Sequence, residues 1–180
     1  MKTTLKLILA SGILVSSFSA FAYHRYERDS GISPYIGGIV GSTEYTSSSG
    51  NITETKSAGI GFGVDIGLKL TNHFGVEGDY IDYGNMSGAN ADHLTALGVA
   101  LRALYPISGA FGIFGKAGFY SVTDSQNSSD SDSGLGIDAG LEYQFSTNIS
   151  ATLEYNHIFV QVGGANLRPT MYALGLNYDF

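Results

Sequence analysis

Between Gly59 and Leu70 every second residue is large and apolar: Ile60, Phe62, Val64, Ile66, Leu68 and Leu70. Glycines, Asp65 and Lys69 fill the positions between them. A period of two puts the first set on one face of a strand and the second on the other. At about 3.3 Å per residue the run spans roughly 40 Å, more than the 9–11 residues a tilted membrane strand needs. The pattern predicts a transmembrane β-strand, and the rest of the chain repeats it.

Seven further strands are expected. A first, Ser33–Ser42, precedes the run just described. Then come Phe74–Tyr80, His93–Tyr105, Phe111–Tyr120, Gly134–Phe145, Ile149–His157 and Met171–Phe180. Polar, Ser-, Asp- or Gly-bearing loops are expected at 43–56, 84–92, 121–133 and 158–168. Short turns fall at 71–73, 106–110 and 146–148. Pro106 suits a turn because proline cannot donate to a ladder. An even number of strands, with long loops at one end and tight turns at the other, is the outer-membrane arrangement. The predicted fold is all-β, an eight-stranded antiparallel up-and-down transmembrane β-barrel over 33–180.

Ahead of the barrel, Lys2 and Lys6 form a basic region, Leu7–Phe18 an apolar core, and Ala20-Phe21-Ala22 a small-x-small cleavage site. Residues 1–22 therefore read as a secretory signal peptide cut after Ala22, and 23–32 as a short solvated tail. The 180-residue chain carries a net charge of −7, which argues against nucleic acid as a partner. It has no cysteine, so it has no disulfide framework, thiol nucleophile or thiolate metal site. Its four histidines lack metal-ligand spacing, and no cofactor is expected.

A soluble ligand-binding barrel also alternates, with its apolar residues inward. The charges decide between the two. Asp65, Lys69, Glu77, Asp79, Arg102, Lys116, Asp138, Glu142, Glu154 and Asp179 all fall opposite the large apolar residues; only Asp82 shares their phase. A charge facing lipid at mid-bilayer costs about 2–4 kcal/mol, so a membrane barrel segregates its charges in this way. The glycines on the charged face suit a narrow lumen, and aromatics cluster near strand ends as interfacial girdles do.

The runs Leu70-Thr-Asn-His-Phe-Gly-Val-Glu-Gly-Asp-Tyr80, Gly140-Leu-Glu-Tyr143, Ala151-Thr-Leu-Glu-Tyr155 and Tyr172-Ala-Leu-Gly-Leu-Asn-Tyr-Asp-Phe180 resemble the transmembrane domain of OmpA-type outer-membrane proteins. The resemblance covers about Ser33 to Phe180 and does not extend to a peptidoglycan-binding domain, so wall tethering is not expected. It implies a monomeric integral protein of the bacterial outer membrane, surrounded by outer-membrane lipid and lipopolysaccharide. It also implies that the closing strand, through Tyr172, Leu174, Leu176, Tyr178 and Phe180, is presented to the barrel-insertion machinery. In that family a lumenal charge cluster blocks or gates the bore. Glu77, Arg102 and Glu142 match its members; Thr152 replaces a basic one, leaving Lys116 as the candidate partner of Glu142.

The candidate functional network is thus Asp65, Glu77, Asp79, Arg102, Lys116, Asp138, Glu142 and Glu154. Eight strands leave an interior that side chains just fill, which favours a plug over a pore. An open path would favour cations, because carboxylates outnumber basic groups. The leading expectation is a non-enzymatic barrel, structural or surface-interacting through its polar loops, whose ligand the sequence does not name. The alternative is a small cation-favouring, porin-like channel. Outer-membrane lipid A deacylases pair a His with a Ser two residues on; here His157 is followed by Ile158 and Phe159, so a catalytic site is not expected.

Overall fold

The computed structural model describes residues 32–49, 52–85, 93–124, 131–162 and 165–180. The export signal with Ala20 and Ala22, and most of the tail, lie outside the described residues. Eight strands follow one another: β1 (Ser33–Ser49), β2 (Ile52–Lys69), β3 (Phe74–Asn85), β4 (His93–Ser108), β5 (Phe111–Asp124), β6 (Ser131–Gln144), β7 (Ile149–Val162) and β8 (Ala165–Asp179). Each pairs antiparallel with its sequence neighbours, and β8 pairs with β1 to close the barrel. Closure leaves no free edge within lipid, the condition a sheet must meet to cross a membrane.

Two of the three tight turns are built alike. Thr71 Oγ1 accepts the backbone N–H groups of His73 and Phe74 at 3.1 and 2.9 Å. Ser146 Oγ accepts those of Asn148 and Ile149 at 3.3 and 3.0 Å. A hydroxyl that bonds the backbone two or three residues on is the reason Ser and Thr favour such turns. The third turn places Gly109 at φ +46°, a left-handed conformation that glycine adopts without steric cost.

The side-chain pattern divides inside from outside. Ile60, Leu101, Phe119, Leu174 and their in-phase neighbours are exposed on the outer wall, Ile60 at 76% and Leu101 at 68%. The ten segregated charges point into the lumen, where all but Lys69 are buried. Asp82 is the exception in strand phase, falling with the outer-wall residues, yet it too is buried. Its carboxylate lies 3.0 Å from His93 Nε2 and accepts the Gly84 N–H at 2.8 Å, at the loop end of β3.

The strands run further than the sequence pattern indicates. The ladder between β1 and β2 continues through the expected 43–56 loop to the pair Ser49–Ile52, and β7–β8 continues through 158–168 to Val162–Ala165. β3 takes in Gly84 and Asn85 of the 84–92 loop, and β5 and β6 take in the flanks of 121–133; residues 86–92 and 125–130 lie outside the described residues. The Ser/Thr-rich composition that reads as loop is compatible with strand, because Thr is β-branched and a ladder satisfies the backbone whatever the side chain. A bulge marks the transition: Thr43 faces Gly59 and Glu44 faces Ser57, so Ala58 is unopposed and Gly59 takes φ +122°.

Above that level two of the ladders stop among the described residues. The β2–β3 ladder stops at Phe62–Asp82, and the β6–β7 ladder stops at Leu135–Phe159. Beyond those pairs β2, β1, β8 and β7 stay paired as one four-stranded sheet, while β6 stays with β5.

Candidate functional site

The lumen is stratified. At the end with the short turns, Lys69 Nζ meets Asp179 at 2.7 and 2.8 Å and lies 5.3 Å from the Tyr35 ring centre. Deeper in, Arg102 donates to Glu142 Oε2 at 2.6 Å and contacts Glu77 Oε1 at 3.1 Å, with its guanidinium 4.5 Å over the Phe114 ring. Lys116 contacts Glu77 at 2.9 Å, Glu154 at 3.6 Å and Asp79 at 3.7 Å. The Tyr35 hydroxyl donates to Glu77, Tyr120 donates to Asp79 at 2.8 Å, and Thr152 donates to Glu154 at 2.5 Å.

Lys116 does not partner Glu142. On β5 it stands opposite Asp138, whereas Glu142 stands opposite Gly112, four residues away along the strand. Its ammonium reaches across the lumen to β3 instead, and among the described residues it is Arg102 that pairs with Glu142. Glu77 is the hub, touching both cations and the Tyr35 hydroxyl. Buried charges persist only when paired and hydrogen-bonded, and this cluster meets that condition for Glu77 and Glu142. Asp65 and Asp79 are cross-strand neighbours, a like-charge pair that each ion pair nearby must offset.

Large rings fill the lumen where glycines admit them. Tyr120 is flanked by Gly98 on β4 and, on β6, by Gly136; a side chain at either glycine would strike the ring. Tyr35 lies over Gly67 and Phe114 over Gly140 in the same way. The glycine-rich lumenal face thus accommodates aromatic rings as well as a small bore.

The loop-side half of the lumen is only partly legible from the expected strand bounds, which take in Leu94 and Met171 but not Tyr83, Val122 or Ile158. There Leu94, Val122, Ile158 and Met171 are fully buried beside Tyr83, whose hydroxyl donates to Asn156. Each is in phase with a lumenal group on its own strand: Leu94 with Arg102, Val122 with Lys116, Ile158 with Glu154, Met171 with Asn177. The signal was present as a switch of the lumenal face from small and charged to large and apolar.

Other singled-out residues lie elsewhere. Tyr172, Leu174, Leu176, Tyr178 and Phe180 line the outer wall of β8, or in the case of Phe180 its end, and are exposed. His157 also faces outward. Its Nδ1 lies 2.8 Å from Thr170 Oγ1, and its ring packs against Tyr155 and Phe159. Its β6 neighbour is Ile137, so the strand beside it supplies no carboxylate to orient the imidazole. Among the described residues no group of three His, Cys, Asp or Glu side chains is placed to hold a metal ion.

A closed eight-stranded barrel with an apolar outer wall, lumenal charges and tight turns at one end is a transmembrane barrel of the outer-membrane class. The sequence matches the outer membrane protein β-barrel domain over residues 10–180, and the chain belongs to that family. It is therefore an integral protein of the bacterial outer membrane. No curated protein matches the sequence.

Among solved structures, the chain is similar to Neisserial surface protein A, with a TM-score of 0.67 and 18% identity over 83% of this chain and 99% of that one. It is similar to OprG of Pseudomonas aeruginosa, with a TM-score of 0.54 and 15% identity over 87% and 99%. It also resembles the N-terminal barrel domain of OprF from the same organism, with a TM-score of 0.53 and 19% identity over 82% and 97%. At these identities the likeness is one of fold.

Proposed function

We propose that this is a non-enzymatic surface-contact protein: a membrane-embedded barrel with a closed lumen that carries a projecting sheet on the outside of the cell. The observation that carries the reading is the early end of the β2–β3 ladder. Ten residues of β2, 52–61, continue beyond its last pair with β3, about 33 Å of strand at the usual rise. Among the described residues the ladder pairs of that stretch are with β1; Ile60 and Gly61 still lie against β3, and the strand edge beyond them is a template onto which an extended segment of a partner can add.

The supporting elements follow the same reading. Residues 1–22 serve as the export signal, cleaved after Ala22. The exposed face of β8 ending at Phe180 is presented to the insertion machinery and afterwards packs against lipid. Outer-membrane lipid and lipopolysaccharide surround a single barrel. The wall chemistry of His157 favours a packing role, since its hydroxyl neighbour is Thr170 and its other side meets Ile137.

The test shortens the projection. Residues 47–54 are replaced by an Asn-Gly turn joining the paired residues Thr46 and Thr55. Bacteria carrying either form are then compared for binding to epithelial cells and matrix-coated surfaces. Binding by the full-length form that is lost on shortening, with the barrel still folded, is the expected result. Equal binding by both, or no binding by either, contradicts the reading.

One observation favours a second reading. In the middle of the lumen, six carboxylates face two cations, a composition that would select cations if a path opened. Discrete cation-selective conductance by the unaltered protein in a planar bilayer would establish that reading in place of the closed lumen.

A further inference from the structure

Arg102, Lys116 and their carboxylates occupy the short-turn half of the bore, and their ion pairs are the obvious barrier to ions. The loop-side half has a different chemistry. Leu94, Val122, Ile158 and Met171 come from β4, β5, β7 and β8, each at 0% exposure, and belong to one continuous apolar cluster. They lie beyond the charges on their strands, by eight residues from Arg102 to Leu94 and six from Lys116 to Val122. The hydroxyls of Tyr83 and Tyr120 turn away from the collar toward Asn156 and Asp79, while that of Tyr45, in the same cluster, is buried without a hydrogen-bond partner among the described residues.

A narrow passage lined by aliphatic groups offers nothing in exchange for an ion's hydration shell and stays dry, which is how hydrophobic constrictions block conduction. We infer that the ion barrier of this barrel is the dry collar of Leu94, Val122, Ile158 and Met171, and that the Glu77–Arg102–Lys116–Glu142 cluster is a structural filler beneath it. The inference rests on the closed-lumen reading and adds where the closure is made. Removing an ion pair leaves the collar intact; placing hydroxyls in the collar admits water and joins the charged layer to the outside.

The experiment compares planar-bilayer currents of refolded wild type, Leu94→Ser/Ile158→Ser and Arg102→Met/Glu142→Gln, each first shown to be folded by its faster gel migration before boiling. Silence in wild type and in the charge variant, with cation-favouring openings in the collar variant, is the expected result. Openings in the charge variant with a silent wild type overturn the inference and leave the closed-lumen reading standing. A folded but silent collar variant also overturns it. Conductance by wild type overturns the closed-lumen reading itself.

Because hydroxyls in the collar can prevent folding, a second measurement uses the absence of native cysteine. In folded Val122→Cys the thiol resists a charged thiol reagent, whereas Lys69→Cys at the mouth reacts. Reaction at both positions contradicts a dry collar.

Discussion

Arg102 and Lys116 stand directly opposite each other on β4 and β5, two cations side by side in the lumen. Like charges in that relation repel. Glu77 holds them together, 3.1 Å from the first and 2.9 Å from the second. Glu77→Ala leaves two buried cations facing one another with one shared carboxylate fewer. Breaking a buried ion pair from one side costs about 3–5 kcal/mol, and a loss of that size is expected in urea unfolding of the lipid-reconstituted protein. Glu77→Gln keeps a carbonyl oxygen and the Tyr35 contact, so its loss is smaller. Equal losses for the two variants would show that Glu77 contributes by its charge alone.

The ring of Tyr120 fixes a second expectation. A Cβ at Gly136 would strike that ring and lie 3.4 Å from Ile158 Cγ1, and its three nearest neighbours are all side-chain atoms. Gly136→Ala overpacks the lumen and destabilises by about 1–3 kcal/mol. In a Tyr120→Leu background most of that penalty disappears. A penalty unchanged by Tyr120→Leu, in a double-mutant cycle, would place the conflict elsewhere.

Membrane orientation gives a third. The turns at Thr71 and Ser146 lie at the short-turn end, with Ser33 and Phe180. An epitope inserted at Thr147 is stained by antibody only after the outer membrane is permeabilised. Staining of intact cells would invert the barrel.

The alternation that separates Ile60 from Gly61 or Leu101 from Arg102 is local, because adjacent residues of a strand face opposite ways, and it could be read without a structure. Strand number, the identity of the lumenal face and the segregation of ten charges follow from it. Contacts across the lumen do not. Lys116 reaches Glu77 two strands away because barrel closure and strand tilt set which levels meet, and no sequence spacing encodes that. Leu94 and Met171 lie inside the expected strands, but Thr43–Lys56 and residues 158–168 read as loops from their polar composition, which leaves Ile158 and Tyr45 without a face. Once the ladders extend through those stretches, both turn into the lumen.

The measurement that bears most directly on the account is the side of the wall on which a residue meets lipid. The chain has no tryptophan, so single substitutions give unmixed signals. Leu101→Trp on the outer wall and Phe114→Trp in the lumen are each reconstituted in vesicles of phospholipids with brominated acyl chains. Strong bromine quenching at position 101 and little at 114 is the predicted result. Equal quenching at both, or stronger quenching at 114, would contradict an outer-membrane barrel with its charges inside.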